Sequence, residues 1–446
     1  MKYTIIGSGP SGLSLAYVLS LNNIEVDLIE KDSQLGGSWN SQWIDGKYFS
    51  ENSPRVYSNS GNSKILLSHL GFTSADFQNV YGNFFQINYK IIAFITKYFN
   101  LFDYFIFLFA AIKYRFVIDN ITVAEWMAQS NLSKSAKKCI KITSILICDK
   151  PEKTNINDFF GFLTHRSNSM IPKQMKEPNK WHELIEEHLR SKTNVRIFKD
   201  TEVTNLYKKD SSFVINTKNT KHGYNEVLNS NKVFLCTQSN GIYPILKNSS
   251  DDIKNSWMPS DKMSQWSKNT YYSGFGFQLH FDKDVKFKTE WCWSCTGDWT
   301  VIILPVSNWL KTCSKDPTIK TVWSCCIVDM ESKSKRNNKT ANECDLNEVL
   351  AECMLQIKDS YDIPKPKVIT VSNGLKKENN VWLSKNTGYT KSKYSDLEIK
   401  GKVDNLYALG CFTKIPVNKV AYMELAFDAV AKYLKEYEDL EHNIFT

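Results

Sequence analysis

Tyr3-Thr-Ile-Ile-Gly7-Ser-Gly9-Pro-Ser-Gly12 and, further on, Val26-Asp-Leu-Ile-Glu30 are the stretch that decides the fold. Residues 3–6 form a short apolar run that flows into the glycines, and Leu13, Ala16, Tyr17, Leu19 and Leu21 then follow helical spacing. Val26, Leu28 and Ile29 alternate around Asp27 and end at Glu30, the pattern of a second buried strand closed by an acid. The unit is βαβ. A glycine triplet alone is weak evidence, because glycines gather in turns for steric reasons. Here it follows a strand, opens a helix and precedes an acid by 18 residues, counted from Gly12 to Glu30. Gly7 permits the tight turn, Gly9 lets the backbone approach a pyrophosphate, and Gly12 lets helix and strand pack closely. The helix N-terminus would face the phosphates with free N–H groups. Glu30 would accept from ribose hydroxyls and repel a 2′-phosphate, so the spacing implies FAD or NAD rather than NADP.

The segment that follows, Glu30-Lys31-Asp-Ser-Gln-Leu-Gly36-Gly37-Ser38-Trp39, separates the two. It resembles the extension of the fingerprint in FAD proteins of the glutathione-reductase-like superfamily, above all the flavin amine oxidase and phytoene-desaturase group. Two adjacent glycines remove side chains where a loop must pass close to phosphates and ribitol. The resemblance implies FAD, held through Gly7, Gly9, Gly12, Glu30, Lys31, Gly36, Gly37, Ser38 and Trp39. It continues along the chain. Phe49-Ser-Glu-Asn-Ser-Pro-Arg55-Val-Tyr57 sits where the family runs a loop under the flavin, and Ile121-Thr-Val-Ala-Glu125-Trp126 resembles a helix start in its substrate domain. Trp181 to Leu189 reads as a helix, and 195–198, 201–206, 213–217 and 232–237 read as strands. In the family the residue matching Val203 holds the adenine through its backbone. Asn405-Leu-Tyr-Ala-Leu-Gly410-Cys411 and a helix from Tyr422 to Leu434 resemble the closing strand and helix, which implies flavin contacts at Gly410, Cys411, Tyr422 and Met423. The family usually carries an acid where this chain has Cys411.

The expected fold is therefore α/β: a discontinuous Rossmann-like FAD-binding domain (1–75, 176–259, 391–446) with an inserted α+β substrate domain (76–175, 260–390). The first insert is helical and aromatic. The second alternates like sheet, as in Trp299-Thr-Val-Ile-Ile-Leu304 and Thr321-Val-Trp-Ser-Cys-Cys-Ile-Val328.

Arg55, in the loop the family runs under the flavin, is the candidate polar residue near it, and Trp382 and Tyr389, before the closing strand, stand where the resemblance implies aromatic walls of the substrate pocket. Many amine oxidases hold a Lys near flavin N5 from a strand start, and the matching stretch, Tyr272-Ser-Gly-Phe-Gly-Phe-Gln-Leu279, has none. Cys292-Trp-Ser-Cys295 places its thiols on opposite faces of a strand, against a metal or redox pair. The seven histidines form no metal spacing, and His182 and His188, six apart, read as solvated helix histidines. No Gly-x-Ser-x-Gly elbow is present, so hydrolysis has no support.

Composition agrees with a folded chain: 446 residues, 42% hydrophobic, 23% charged and 13% aromatic, which excludes extended disorder. The net charge of +9 is scattered and forms no basic arm, so nucleic acid is not an expected partner. No apolar stretch precedes Gly7, and the eleven cysteines read as buried thiols, so a cytoplasmic, reducing setting is expected. The run Ile91 to Ile112 carries Lys97 and Asp103, which argues against a spanning helix. It leaves an aromatic surface that lines a substrate entrance, the preferred reading, or rests peripherally on a membrane. The expected activity is oxidation or desaturation of an apolar or amine-bearing small molecule. The alternatives are a flavin-dependent monooxygenase and a noncatalytic, membrane-associated flavin binder. Residues 151–235, where a second nicotinamide fingerprint would stand, hold only Gly161 and Gly223.

Overall fold

The computed structural model describes residues 1–52, 61–80, 97–147, 150–164, 173–269, 271–272, 274–287, 294–372, 374–384, 388–389, 397–415 and 423–445. The chain opens with β1 (Lys2–Ile6), α1 (Pro10–Leu21) and β2 (Glu25–Ile29), paired in parallel with Tyr3 opposite Val26 and Ile5 opposite Leu28. Helix α2 (Gly61–His69) follows, and after the first insert come α3 (Lys180–Arg190), β3 (Val195–Phe198) and β4 (Lys232–Leu235). Strand β5 (Leu406–Ala408) and helix α4 (Met423–Tyr437) close the domain. The strands form one parallel sheet in the order β5-β4-β1-β2-β3.

Period-two alternation sends successive side chains of this sheet to opposite sides. Tyr3, Ile5, Val26, Leu28, Phe234 and Tyr407 join Leu13, Tyr17, Trp181, Phe427 and Tyr433 under helices α1, α3 and α4. Ile6, Ile29, Val233, Leu235, Leu406 and Ala408 face the other way, onto Val203, Leu206, Phe213 and Ile215 of a three-stranded antiparallel sheet. Asp27, fully buried, ties three strands together by ion pairs with Lys2 at 2.7 Å and Arg196 at 2.8 Å.

Both inserts enter and leave through short ladders. Phe77–Asn79 pairs with Lys173–Met175 at the ends of the first, and Tyr271–Tyr272 pairs with Gly388–Tyr389 at the ends of the second. The first insert is a helical cluster in which Ala110, Tyr114, Trp126, Ile140, Phe159 and Phe160 pack together. The helix expected at Ile121–Trp126 is present as Val123–Gln129, with Thr122 and Glu125 forming a reciprocal capping box. In the second, strands 294–296, 301–304, 321–327, 275–281 and 368–371 form an antiparallel sheet in that order, covered by the helix Leu346–Lys358. The helix Ser260–Asn269, just past the expected boundary, turns Met263 and Trp266 back into the core beneath the parallel sheet.

Three expectations shift. Of the apolar run 91–112, residues 91–96 lie outside the described residues, and the helix runs from Leu101 to Phe116 because Asn100 and Asp103 cap its start. The strand expected from Trp299 begins at Val301, since Thr300 adopts φ +51° and the Trp299 N–H donates to Gln356 Oε1 instead of a ladder. The closing helix begins at Met423; Tyr422 lies outside the described residues. Among the described residues no helix is long and apolar enough to cross a membrane.

Candidate functional site

The site is built where β1 ends and α1 begins. Gly7 turns the chain at φ +100°, and a Cβ there would stand 2.9 Å from the Cys236 carbonyl oxygen at the end of β4. Gly12 allows the closest approach of all: a Cβ would fall 1.9 Å from the Gly7 carbonyl oxygen. Gly9 differs from both, because a Cβ there would meet nothing within 4 Å. It is the N-cap of α1, no side chain caps it, and Pro10 follows at the first helical position. The first turn of α1 thus presents N–H groups beside an open glycine backbone, a cradle for an anion.

Glu30 closes the other side of this cradle. Its Oε2 accepts from the Ser8 N–H at 2.8 Å and the Ser8 hydroxyl at 2.6 Å, and its Oε1 accepts from the Asp32 N–H at 3.0 Å. Burial raises the pKa of this carboxyl, partly offset by the bonds from Ser8. A carboxylate has about four lone-pair sites, so roughly one remains for a ligand hydroxyl.

The glycine pair packs directly on the loop. The Gly36 N–H donates to the Ser8 carbonyl at 3.0 Å, and a Cβ on Gly37 would lie 3.0 Å from Gly9 Cα. Ser38 and Trp39 complete the short helical turn Gly37–Trp39, with Trp39 packed on the core under α1. Lys31 is exposed, and its carbonyl accepts from the Thr220 hydroxyl at 3.2 Å. Val203 lies on the first strand of the three-stranded sheet, opposite Thr217 and next to a register shift before Asn205. That strand starts at Thr201, whose N–H donates to the Glu30 carbonyl at 2.9 Å, so Val203 is two residues from Glu30's own backbone.

The C-terminal segment returns to the same place. Gly410 and Cys411 sit in the turn after β5, where the Thr413 hydroxyl accepts from the Gly410 N–H at 2.9 Å. Met423 is buried in the core shared with α1. The Ser11 hydroxyl in the first turn of α1 donates to the Ala426 carbonyl in the first turn of α4, bringing two helix N-termini together. Glu424 adds a third: its Oε1 accepts from the Asn62 N–H at 2.6 Å and its Oε2 from the Ser63 N–H at 3.0 Å, at the start of α2. Burial pushes the Glu424 carboxyl up to about 7 against the opposing bonds from Ser63 and Asn62. Nothing in the local sequence marks this contact, which spans some 360 residues.

The strand Phe275–Phe281, where a lysine was sought, does other work. Gln278 Nε2 donates to the Glu51 carbonyl at 2.7 Å, His280 Nε2 lies 3.1 Å from the Phe49 carbonyl, and Gly276 leaves no room for a Cβ against Asn52. Burial drives the pKa of His280 down to about 4, so a neutral ring donates to that carbonyl. The strand therefore fastens the segment 49–52 that leads toward Arg55. Arg55 itself lies outside the described residues.

The other candidates divide. Trp382 packs edge-on to Phe275 in the core of the inserted sheet, and its indole N–H donates to the Cys344 carbonyl, so the described contacts belong to that core. Tyr389 lies in the two-residue ladder with Tyr271. His182, expected to be solvated, is buried against Gly36, where a Cβ would come within 2.9 Å of its ring. His188 is also drawn inward, with Nε2 3.0 Å from the Ser20 hydroxyl. Cys292 lies outside the described residues; Cys295 is a free thiol pushed up to about 12 by burial.

Residues 5–70 match the family described as an NAD(P)-binding Rossmann-like domain. No curated protein matches the chain. Among solved structures, it is similar to an oxidoreductase from Methanosarcina mazei (TM-score 0.66, 12% identity, 98% of this chain and 100% of that one). A putrescine oxidase with bound putrescine gives 0.61 at 12% identity over 98% and 99%. Cyclohexylamine oxidase from Brevibacterium oxydans IH-35A gives 0.59 at 12% identity over the same shares. The chain has the fold of these enzymes, and the expected α/β architecture with an inserted α+β domain is the one found.

Proposed function

We propose that the protein is an FAD-dependent oxidoreductase that oxidises or desaturates an apolar or amine-bearing small molecule. The observation that carries this reading is the open cradle at Gly9, bounded by the uncapped start of α1, the Glu30 carboxylate and the Gly36-Gly37 pair. The residues fit the cofactor: N–H groups of Ser11 and Gly12 would hold the pyrophosphate, Glu30 a ribose hydroxyl, and the turn at Gly410-Cys411 the ribitol. FAD, when bound, supplies the acceptor for two electrons and a proton equivalent.

The chain supplies position and electrostatics. The first turns of α1 and α4, joined at Ser11 and Ala426, aim partial positive charge at one region, which favours an electron-rich ring over a neutral one. The segment 49–52 is clamped by Gln278 and His280, and a loop under the flavin, as the family runs one there, would rest on that anchored stretch. His280 stays neutral across the physiological range and serves as a strut, not as a base. That similarly folded oxidases act on putrescine and cyclohexylamine supports an amine-bearing substrate, although the lysine sought on 272–279 is absent.

Purification tests the reading. The protein should be yellow and release about one FAD per chain on denaturation, and an amine, or an apolar substrate with a CH–CH unit to be desaturated, should bleach the flavin anaerobically. Finding FMN, or a colourless protein that takes up no FAD on reconstitution, would overturn it.

A further inference from the structure

We propose that the outward face of the helix Leu101–Phe116 docks the protein on an anionic lipid surface. This helix has two apolar stripes. One, containing Asp103, Phe107, Ala110 and Tyr114, packs into the helical cluster. On the opposite side, at about 100° per residue, Leu101, Phe102, Phe105, Leu108, Phe109, Ile112 and Phe116 fall within an arc of roughly 120°. These are not half-covered core residues: Phe102 is 62% exposed, Phe105 57%, Phe109 72% and Phe116 79%, and Val117 and Ile118 just past the helix end are exposed as well. Their exposure favours the surface reading over the entrance reading. The patch exceeds what isolated surface hydrophobes need and lies along one helix.

The charge around the patch selects the occupant. Lys113 and Arg115 stand on its two borders. The next long helix, Lys134–Ile147, is fixed to the first turn of the aromatic helix by bonds from the Ser133 N–H and hydroxyl to Asp103, at 2.7 and 2.6 Å. The Ser135 hydroxyl adds a bond to the Tyr98 carbonyl at 2.7 Å. Since Asp103 lies on the inward side of the aromatic helix, Lys134, Lys137, Lys138 and Lys141 of this helix, which has no acidic residue, add to the positive charge of the region and not to the border of the patch. Between residues 97 and 147 the chain has seven Lys or Arg and three Asp or Glu, one of which, Asp103, is fully buried. A second copy docked by two-fold symmetry would bring the same cationic borders together. Anionic headgroups complement them, while the aromatic face enters the headgroup–acyl boundary in the plane of the surface. At 16 residues the helix is too short to span.

Sedimentation with vesicles tests this, using phosphatidylcholine alone and phosphatidylcholine containing phosphatidylserine, at low and physiological salt. The full-length protein should sediment with the phosphatidylserine vesicles and bind less as salt rises. Phe105→Ser/Phe109→Ser should weaken that binding by about tenfold or more, since each exposed ring contributes to insertion. Lys113→Gln/Arg115→Gln should reduce it to the level seen with phosphatidylcholine alone. Both variants change exposed side chains, and unaltered circular dichroism and thermal midpoint confirm that they fold. Absence of binding to phosphatidylserine vesicles at low salt would overturn the proposal. So would a dimer in light scattering that Phe105→Ser/Phe109→Ser dissolves, because the face would then belong to a second copy.

Discussion

At Glu30 one carboxylate organises the glycine loop and offers its remaining acceptor site to a ligand. Its bonds to the Ser8 N–H and hydroxyl hold the loop before any cofactor arrives. Glu30→Ala should therefore have two effects: weaker FAD retention by roughly 1.5 to 3 kcal/mol, the scale of bonds to a charged group, and a less stable apoprotein by about 1–3 kcal/mol because Ser8 keeps a buried donor without an acceptor. Titration of FAD into apoprotein measures the first and urea unfolding the second. A variant that retains FAD with wild-type affinity would remove Glu30 from the site. The residue types of this loop were legible because their chemistry is local: turn, cap and acid lie within 30 residues. His182 was not, since its burial depends on Gly36, which approaches from a distant segment without leaving a periodic signal. Trp382 was ambiguous for the opposite reason. An aromatic just before the closing strand suits a pocket wall and a sheet core equally well, and its described contacts include Phe275 and the Cys344 carbonyl of the inserted sheet's core.

Between elements, Glu424 carries the most weight. It stands in the first turn of α4 and caps the start of α2, where Gly61 at φ +59° leaves the carboxylate the space a side chain would occupy. Asp428, one turn on, accepts from the Asn62 side chain and pushes Glu424 further up. The carboxyl's folded pKa, about 7, lies above its ordinary value of 4.5. The folded state therefore binds the proton more tightly than the unfolded chain, and Glu424's contribution is fully present below about pH 4.5 and is lost as pH rises through 7. Glu424→Gln removes this titration. Followed by urea midpoints, wild type should lose up to about 3 kcal/mol of stability relative to Glu424→Gln as pH rises across that window; a difference that stays constant would show that Glu424 does not titrate there. The strands and helices of the parallel sheet were readable from their period-two and 3.6-residue patterns. Their docking was not: α2 on α4, and residues 49–52 on the strand Phe275–Phe281, join segments hundreds of residues apart through polar groups that hydrophobic periodicity does not register.

At the scale of the molecule, the described residues form one dinucleotide cradle. The parallel sheet β5-β4-β1-β2-β3 has a single strand–glycine–helix junction of this kind among the described residues, at Gly7–Gly12. The stretch 151–235, which would have to supply a second, folds among its described residues into the helix Ile156–Thr164 with Gly161 inside it, the strand Lys173–Met175, α3, β3, a three-stranded antiparallel sheet and β4. Its glycine at 223 turns a hairpin at φ +77°, between strands Ser212–Asn219 and Asn225–Ser230, and opens no helix. A nicotinamide donor needs a glycine turn leading from a strand into a helix N-terminus for its pyrophosphate, and the described residues of this stretch form none. NADH and NADPH should therefore fail to reduce the flavin at a useful rate, with electrons entering from the organic substrate held under the inserted domain. Anaerobic stopped-flow mixing decides the matter at the flavin absorbance. Slow or absent bleaching by either nucleotide, beside rapid bleaching by substrate, is the expected result. Rapid bleaching by NADPH alone would mean that a nicotinamide binds transiently without its own fingerprint, and would turn the assignment toward a flavin-dependent monooxygenase.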